Sequence, residues 1–167
     1  MQSQTRKMAE SAVLIGLAII FSYIEILIPF NFGIPGMKLG LPNLVVIITL
    51  YWLGGAYALT INCVRILLVS FLFGNFSMAL YSLAGALLSF GVMYLLKSTK
   101  AFSVIGVSMA GGAFHNVGQL AVAALVVENA KMLFLLPLLL IVGMVTGILM
   151  GIIASKLLNH KGWLMRN

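Results

Sequence analysis

Residues 132–157 read MLFLLPLLLIVGMVTGILMGIIASKL, and Lys156 is the only charged residue in this run. A helix needs about 20 consecutive apolar residues to cross the roughly 30 Å hydrocarbon core of a bilayer, and this run is long enough. Similar apolar segments lie upstream, separated by charges and by clusters of Gly, Pro and Asn. They predict an all-α polytopic membrane protein, a single integral membrane domain over residues 1–167 built as a bundle of six transmembrane helices. The predicted spans are roughly 8–29, 42–54, 56–73, 77–96, 102–126 and 132–157.

The composition excludes a soluble globular protein. Hydrophobic residues make up 62% of the chain and charged residues only 8%, whereas soluble domains carry about 25% charged residues. A transmembrane β-barrel is disfavoured as well, because its strands would be segments of about ten residues with alternating hydrophobicity. The segments here are continuously apolar. We therefore expect the chain to lie in a lipid bilayer.

Few residues are available for catalysis or metal binding. The acidic residues are Glu10, Glu25 and Glu128, and the chain contains no Asp, so a Mg²⁺ site has no clustered carboxylates to use. The single cysteine, Cys63, lies in an apolar run, and an intramembrane His115 without nearby Cys, Asp or Glu offers too few metal ligands. A phosphate-binding Gly-x-x-x-x-Gly-Lys-Ser/Thr loop is also missing from the sequence. We expect no catalytic residue, metal or cofactor, and no enzyme activity in this chain.

The basic residues indicate topology. The ten Lys and Arg residues occur one or two at a time between apolar segments, and such scatter is unlike the basic stripe of a nucleic-acid-binding protein. If both termini are cytoplasmic, seven basic residues fall inside, Lys38 and Lys131 fall outside, and Arg65 lies within a span. This bias predicts a multi-pass protein of the cytoplasmic membrane with both termini in the cytoplasm. The seven are Arg6, Lys7, Lys97, Lys100, Lys156, Lys161 and Arg166.

The second apolar segment is too short to span the bilayer as a helix. A helix from Pro42 to Gly54 would rise only about 18–20 Å. The preceding residues 31–40, NFGIPGMKLG, are apolar and glycine-rich, and irregular backbone at membrane depth is tolerated only where protein or a water-filled cavity satisfies it. We predict that this loop folds into the outer mouth of the bundle and covers a cavity. The alternative is a helix that begins near Leu39 after an ordinary surface turn.

Arg65 lies near the middle of the third span, where insertion of a cation costs about 2.5–3.5 kcal/mol or more. Glu25 is near the outer end of the first span, so we expect no acidic residue at the depth of Arg65. Its partners must then be backbone carbonyls, polar side chains or an anionic ligand. A structural role, in which Arg65 only holds the bundle together, is the alternative to ligand binding.

The fifth span carries the densest polar group of any predicted helix. His115 and Gln119 are four residues apart and share a face, with Asn116 one step round the helix. They could all point into one interior pocket, or they could form hydrogen bonds between helices worth about 1–2 kcal/mol each. We predict an outward-opening cavity, floored by Arg65 and His115, that binds an anionic or hydrogen-bond-rich small molecule. The predicted substrate-binding residues are Lys38, Asn43, Arg65, Tyr81, His115, Asn116 and Gln119.

Ala12 and Gly16 form a small-xxx-small pair in the cytoplasmic half of the first span. Small residues at this spacing let another helix pack closely. The neighbouring helix could belong to a partner protein or to the same bundle.

Three stretches carry a family resemblance: PGMKLGLPN at 35–43, LYSLAG at 80–85 and FHNVGQL at 114–120. With them, most of the chain resembles the Gx transporter family, labelled heptaprenyl diphosphate synthase component I. That family is similar to the S components of energy-coupling factor (ECF) transporters. The resemblance implies six helices, a first loop that acts as a lid, and an outward site built from that loop and the later helices.

The same resemblance implies roles for individual residues. An Ala-x-x-x-Ala pair on the first helix of S components docks on the transmembrane coupling subunit, and Ala12 and Gly16 occupy those positions, with Gly16 replacing the second alanine. Lys38 falls in the first loop and Asn43 at the start of the second helix, and Asn116 and Gln119 fall where later helices are expected to contact the substrate. The implied function is the substrate-binding subunit of an ECF-type ABC importer that captures a vitamin, cofactor precursor or related metabolite. Its implied partners are a coupling subunit and ATPase subunits.

The family label suggests a different class of function. Prenyl diphosphate synthases hold Mg²⁺ with aspartate-rich motifs, and a chain without Asp cannot be such a synthase by itself. It could still be a non-catalytic membrane partner of a prenyl diphosphate synthase in isoprenoid or quinone metabolism, or a purely structural assembly subunit. A partner that presents lipid intermediates should have a lateral groove facing the lipid, whereas an S component should have a water-accessible cavity.

Overall fold

The computed structural model describes residues 2–28 and 39–160. Within these residues the regular secondary structure is entirely helical, so the all-α prediction is confirmed for this part of the chain. The helices are α1 (Gln2–Leu27), α2 (Leu41–Trp52), α3 (Gly55–Phe73), α4 (Phe76–Ser98), α5 (Val104–Val126), a short 3₁₀ helix (Ala130–Leu135) and α6 (Leu136–His160).

Five of these helices are long and apolar enough to cross a membrane, and the shorter α2 has 12 residues. A helix of that length rises about 18 Å, so the prediction of a short second helix is confirmed. It begins at Leu41, between the predicted start at Pro42 and the alternative start near Leu39. The predicted lid falls mostly on residues 31–38, which lie outside the described residues.

Successive helices run in opposite directions. The end of the bundle that carries Gln2 and His160 is called the proximal end, and the end that carries Leu27 and Phe73 is called the distal end.

Local sequence explains the start of α4: the side chain of Asn75 accepts a hydrogen bond from the Met78 N–H at 2.8 Å.

The short α2 lies in the centre of the bundle. Val45, Val46, Thr49 and Leu50 are completely buried. Both ends of α2 therefore lie between other helices, where water is scarce. The backbone N–H and C=O groups at these ends need hydrogen-bond partners from the protein.

Charged side chains from neighbouring helices supply such partners at both ends of α2. At its start, the carboxylate of Glu25 on α1 accepts a hydrogen bond from the Gly40 N–H at 2.5 Å. Gly40 has φ of 75°, a conformation that favours glycine. At its end, the Lys97 ammonium on α4 donates to the Leu50 carbonyl at 2.6 Å. An anion at the start and a cation at the end both complement the helix dipole.

Glycines pack α5 closely against α4 and α6. A Cβ at Gly112 on α5 would collide with the carbonyl oxygen of Gly143 on α6, and one at Gly147 would lie 2.6 Å from the Ser108 carbonyl oxygen. On the other side of α5, a Cβ at Gly85 of α4 would lie 2.6 Å from the His115 carbonyl oxygen. Small residues let these backbones approach, as at many helix interfaces in membranes. This packing fixes the position of the polar side chains on α5.

Candidate functional site

A cavity of about 40 Å³ lies in the distal half of the bundle, between the first three helices and the last three. One water needs roughly 10–15 Å³ on this measure, so the space suits about three water-sized groups. We call it the Arg65 cavity. Its lining from the first half of the chain is Glu25 of α1, Gly40 before α2, Pro42 and Asn43 of α2, and Arg65 of α3. Its lining from the second half is Ser82 of α4, Gly112, His115 and Asn116 of α5, and Gly143 and Thr146 of α6.

Arg65 is the buried cation of this cavity, with 9% of its surface exposed. Its Nη1 donates to the Ser22 hydroxyl at 3.1 Å, and its Nη2 donates to Oδ1 of Asn62 at 2.7 Å. The buried Nε has no hydrogen-bond partner among the described residues. Because an unsatisfied buried donor costs about 1–3 kcal/mol, and more when charged, this nitrogen needs an explanation.

Glu25 lines the same cavity as Arg65, so the expectation that no acidic residue lies at the depth of Arg65 is wrong. The reason is the relative height of the two helices. Helix α1 ends at Leu27, soon after the Ser22 that contacts Arg65, whereas α3 continues for about two turns beyond Arg65. The cavity therefore contains one cationic and one anionic side chain among its described lining residues.

His115 and Asn116 bring α5 into the cavity lining. Nδ2 of Asn116 donates to the Leu139 carbonyl of α6 at 2.6 Å, so this residue forms the hydrogen bond between helices that was considered as an alternative role. The ring of His115 lies against α4, where a Cβ at Gly85 would be 3.1 Å from its Cε1. The close approach explains why the stretch at 80–85 ends in glycine.

The structure brings together four of the predicted site residues, Asn43, Arg65, His115 and Asn116, around this cavity. Tyr81 and Gln119 are half-buried and lie outside its lining. Gln119 is about one turn of α5 further toward the distal end than His115. Lys38 lies outside the described residues. The binding role of all seven residues stays a prediction.

The side chains that hold Arg65 were not among the residues predicted from the sequence. Asn62 precedes Arg65 by three residues on α3, a spacing that places both on one face, so this partner could have been found. Ser22 lies on another helix. The one sequence pattern that could have indicated it is its position three residues before Glu25, which places both on one face of α1. Ser82 and Thr146 complete the polar lining from α4 and α6.

A second space of about 10 Å³, enough for about one water, continues the Arg65 cavity toward the proximal end. The two spaces share Gly40, Asn43, Gly112 and Thr146. Ser89 and Ser108 add hydroxyl groups to the smaller one, and the Ser89 hydroxyl donates to the Gly111 carbonyl at 2.7 Å. Polar groups thus extend from Arg65 into the interface between α4, α5 and α6.

An apolar groove of about 330 Å³ lies between the proximal halves of α1 and α3, and Ala12 lines it. Ala12 is exposed, and a Cβ at Gly16 would meet no atom within 4 Å. The other lining residues are Met8, Ser11 and Ile15 of α1 and Ala56, Tyr57, Thr60 and Ile61 of α3. We call this surface the α1–α3 groove. Within the described residues, Gly16 is not closely packed against another helix.

The model of one protein family, described as heptaprenyl diphosphate synthase component I, matches residues 14–157. The match includes every described residue that lines the Arg65 cavity, and it includes Gly16 but not Ala12. Neither a curated protein nor a solved structure matches the chain.

Proposed function

This chain belongs to the heptaprenyl diphosphate synthase component I family, and we propose that it is the substrate-binding membrane subunit of an ECF-type importer. All six helices, α2 included, form one membrane domain over residues 1–167, with both termini in the cytoplasm. The distal end then faces outside, and the Arg65 cavity receives a small vitamin, cofactor precursor or related metabolite from there.

The observation that carries this proposal is a buried Arg65 that lines a cavity and whose Nε has no hydrogen-bond partner among the described residues. A side chain kept only to hold the bundle together should have its buried donors satisfied by that bundle. Two nitrogens of Arg65 do bond to Ser22 and Asn62. The Nε donor supports a bound ligand that completes the hydrogen bonds of the guanidinium. Cationic side chains inside a membrane commonly mark substrate pathways.

The energy for transport comes from partner subunits that hydrolyse ATP. Its sequence has no phosphate-binding loop for ATP. The α1–α3 groove, which exposed Ala12 lines, and the open face of Gly16 one turn further along α1 support docking of a coupling subunit that carries ATPase subunits. A helix of the partner could approach closely at these small residues.

A second candidate is a non-catalytic membrane partner of a prenyl diphosphate synthase, as the family description suggests. The specific observation that favours it is the α1–α3 groove, which is apolar and large enough for part of an isoprenoid chain. The chain has no Asp, and its described residues contain no group of three potential metal ligands, so this candidate leaves catalysis to the synthase.

Analysis of the small molecules that copurify with the protein tests the first candidate. We expect the wild-type protein, purified gently in detergent, to release a polar metabolite in about equimolar amount, and Arg65→Gln and Asn116→Ala to release much less. Arg6→Gln is the matched control, because Arg6 is exposed and pairs with Glu10 far from the cavity. Release of a long-chain isoprenoid alone, together with copurification of a synthase, would favour the second candidate.

A further inference from the structure

The α1–α3 groove runs parallel to the helices in the proximal half of the bundle. Helices α1 and α3 both run from the proximal to the distal end, and the groove extends from Met8 to Ile15 on α1 and from Ala56 to Ile61 on α3. At 1.5 Å per residue it is about 10 Å long, which is about two thirds of the roughly 15 Å that one leaflet contributes to the hydrocarbon core. Its volume of about 330 Å³ gives room for a lipid chain from that leaflet.

The wall of the groove suits an apolar chain. The Ser11 hydroxyl donates to the Lys7 carbonyl at 2.8 Å, and the Thr60 hydroxyl donates to the Ala56 carbonyl at 3.0 Å. Both hydroxyl groups are thus satisfied within their own helices. Apart from Tyr57, the other lining residues have alkyl or thioether side chains. A hydrocarbon chain can lie against this wall without leaving either hydroxyl donor unsatisfied.

Positive charge collects at the proximal end of the groove. Lys7 is exposed and lies one turn before Ser11 on α1. In this part of the described chain, the ion pair joins Arg6 to Glu10 at 2.8 Å. The charge of Glu10 is therefore compensated, and that of Lys7 is not. Helix α3 begins at this end at Gly55 without a side-chain cap, so the positive end of its dipole adds to the charge of Lys7.

The same end of the groove suits the boundary between hydrocarbon and water. Tyr57 lines the groove in the first turn of α3, and tyrosine is enriched at membrane–water interfaces. The long side chain of Lys7 can keep its ammonium in that boundary while its methylene groups contact apolar surface. Basic residues near the membrane surface attract anionic lipids. A lipid with its chain in the groove would therefore place its phosphate close to Lys7.

We propose that the α1–α3 groove binds an anionic phospholipid of the surrounding bilayer, with one acyl chain between α1 and α3 and the phosphate at Lys7. A zwitterionic headgroup is disfavoured because it would bring its own cation close to that ammonium. A long isoprenoid chain is disfavoured because most of it would extend beyond the groove. This inference does not depend on the proposed function. Gly16 is outside the groove lining, so a lipid in the groove leaves that face of α1 open to a coupling subunit.

Native mass spectrometry of the full-length protein in detergent, titrated with phosphatidylglycerol or phosphatidylcholine of equal chain length, tests the charge at the groove. We expect wild type to bind the first phosphatidylglycerol about fivefold more tightly than the first phosphatidylcholine. Lys7→Gln should lose this preference. Lys156→Gln should keep it and is the matched control, because Lys156 is an exposed lysine near the same end of the bundle on α6.

A second pair of variants tests the groove itself. Ala56 is exposed and lines the groove, so Ala56→Phe should fill the space and lose most of the binding of both lipids. Ala121→Phe is the control, because Ala121 is exposed on α5 and lies outside the groove lining. It should bind both lipids as wild type does.

Three results would overturn the proposal. One is an equal lipid preference in Lys7→Gln and Lys156→Gln, and another is equal lipid binding by Ala56→Phe and Ala121→Phe. The third is a loss of a copurifying isoprenoid or coupling subunit in Ala56→Phe with unchanged lipid binding, which would assign the groove to that partner. Because Lys7 is exposed, Lys7→Gln remains informative even if Ala56→Phe does not fold. The proposed function is tested separately, by the metabolite that depends on Arg65.

Discussion

Arg65 links two helices and a cavity through one side chain. Its two terminal nitrogens bond to Ser22 on α1 and Asn62 on α3, and Nε has no partner among the described residues. A planar guanidinium has donors in several fixed directions, so it can serve the fold with some of them and a ligand with others. Lysine would concentrate its charge at one point and could not reproduce this division.

Replacement of Ser22 by alanine tests how much the fold depends on that linkage. Removal of the hydroxyl leaves a charged Nη1 donor in a buried position, so we expect Ser22→Ala to lower the free energy of unfolding by about 1–3 kcal/mol. Denaturant unfolding of the protein in detergent measures the difference. The Ser22 hydroxyl donates to the Ala18 carbonyl of its own helix at 2.8 Å. Ser98→Ala is the control, because the Ser98 hydroxyl likewise donates to the Tyr94 carbonyl of its own helix but is exposed. Its effect should stay within about 0.5 kcal/mol, and equal losses in both variants would contradict a special role for Ser22.

Helix α2 shows why charged residues occur where the sequence is otherwise apolar. It is buried, shorter than the bilayer and held at its ends by Glu25 and Lys97, which come from helices on either side of it in sequence. Lys97 also lies over the ring of Tyr51, with Nζ 4.9 Å from the ring centroid, a favourable cation–π position. A short helix can therefore remain in the middle of a membrane bundle without exposing its end groups to lipid.

Lys97→Met tests the proximal end of α2. Methionine keeps a long apolar side chain but removes the charged donor to the Leu50 carbonyl and the contact with Tyr51, so we expect a loss of about 1–2 kcal/mol in the free energy of unfolding. Lys156→Met is the matched control, because Lys156 is exposed near the same end of the bundle on α6. Hydrogen exchange should also become faster at the end of α2 in Lys97→Met alone. Unchanged exchange there would show that the carbonyl finds another partner.

At the scale of the whole molecule, apolar run lengths predict most of the fold, because each membrane helix must satisfy its own backbone. The short α2 was predictable for the same reason. The cavity was predictable only in part: the costs of a buried Arg65 and of polar residues on α5 pointed to it. Two features of the cavity could not be predicted from the sequence. The pairing of Arg65 with Ser22 depends on which helices are neighbours, and the presence of Glu25 depends on the relative heights of α1 and α3.

Docking on a coupling subunit, which rests on the proposed function, can be separated from folding because Gly16 has an open face. A leucine there would meet no described atom within 4 Å of its Cβ, so Gly16→Leu should fold normally and release the same amount of copurifying metabolite as wild type. It should nevertheless lose copurification of a coexpressed coupling subunit, because the side chain would keep the partner helix away from α1. Gly91→Leu on α4 is the control, since Gly91 is also helical with open space around its Cβ. If Gly16→Leu keeps the coupling subunit, or if Gly91→Leu loses it equally, the face of α1 that carries Gly16 is not the docking surface.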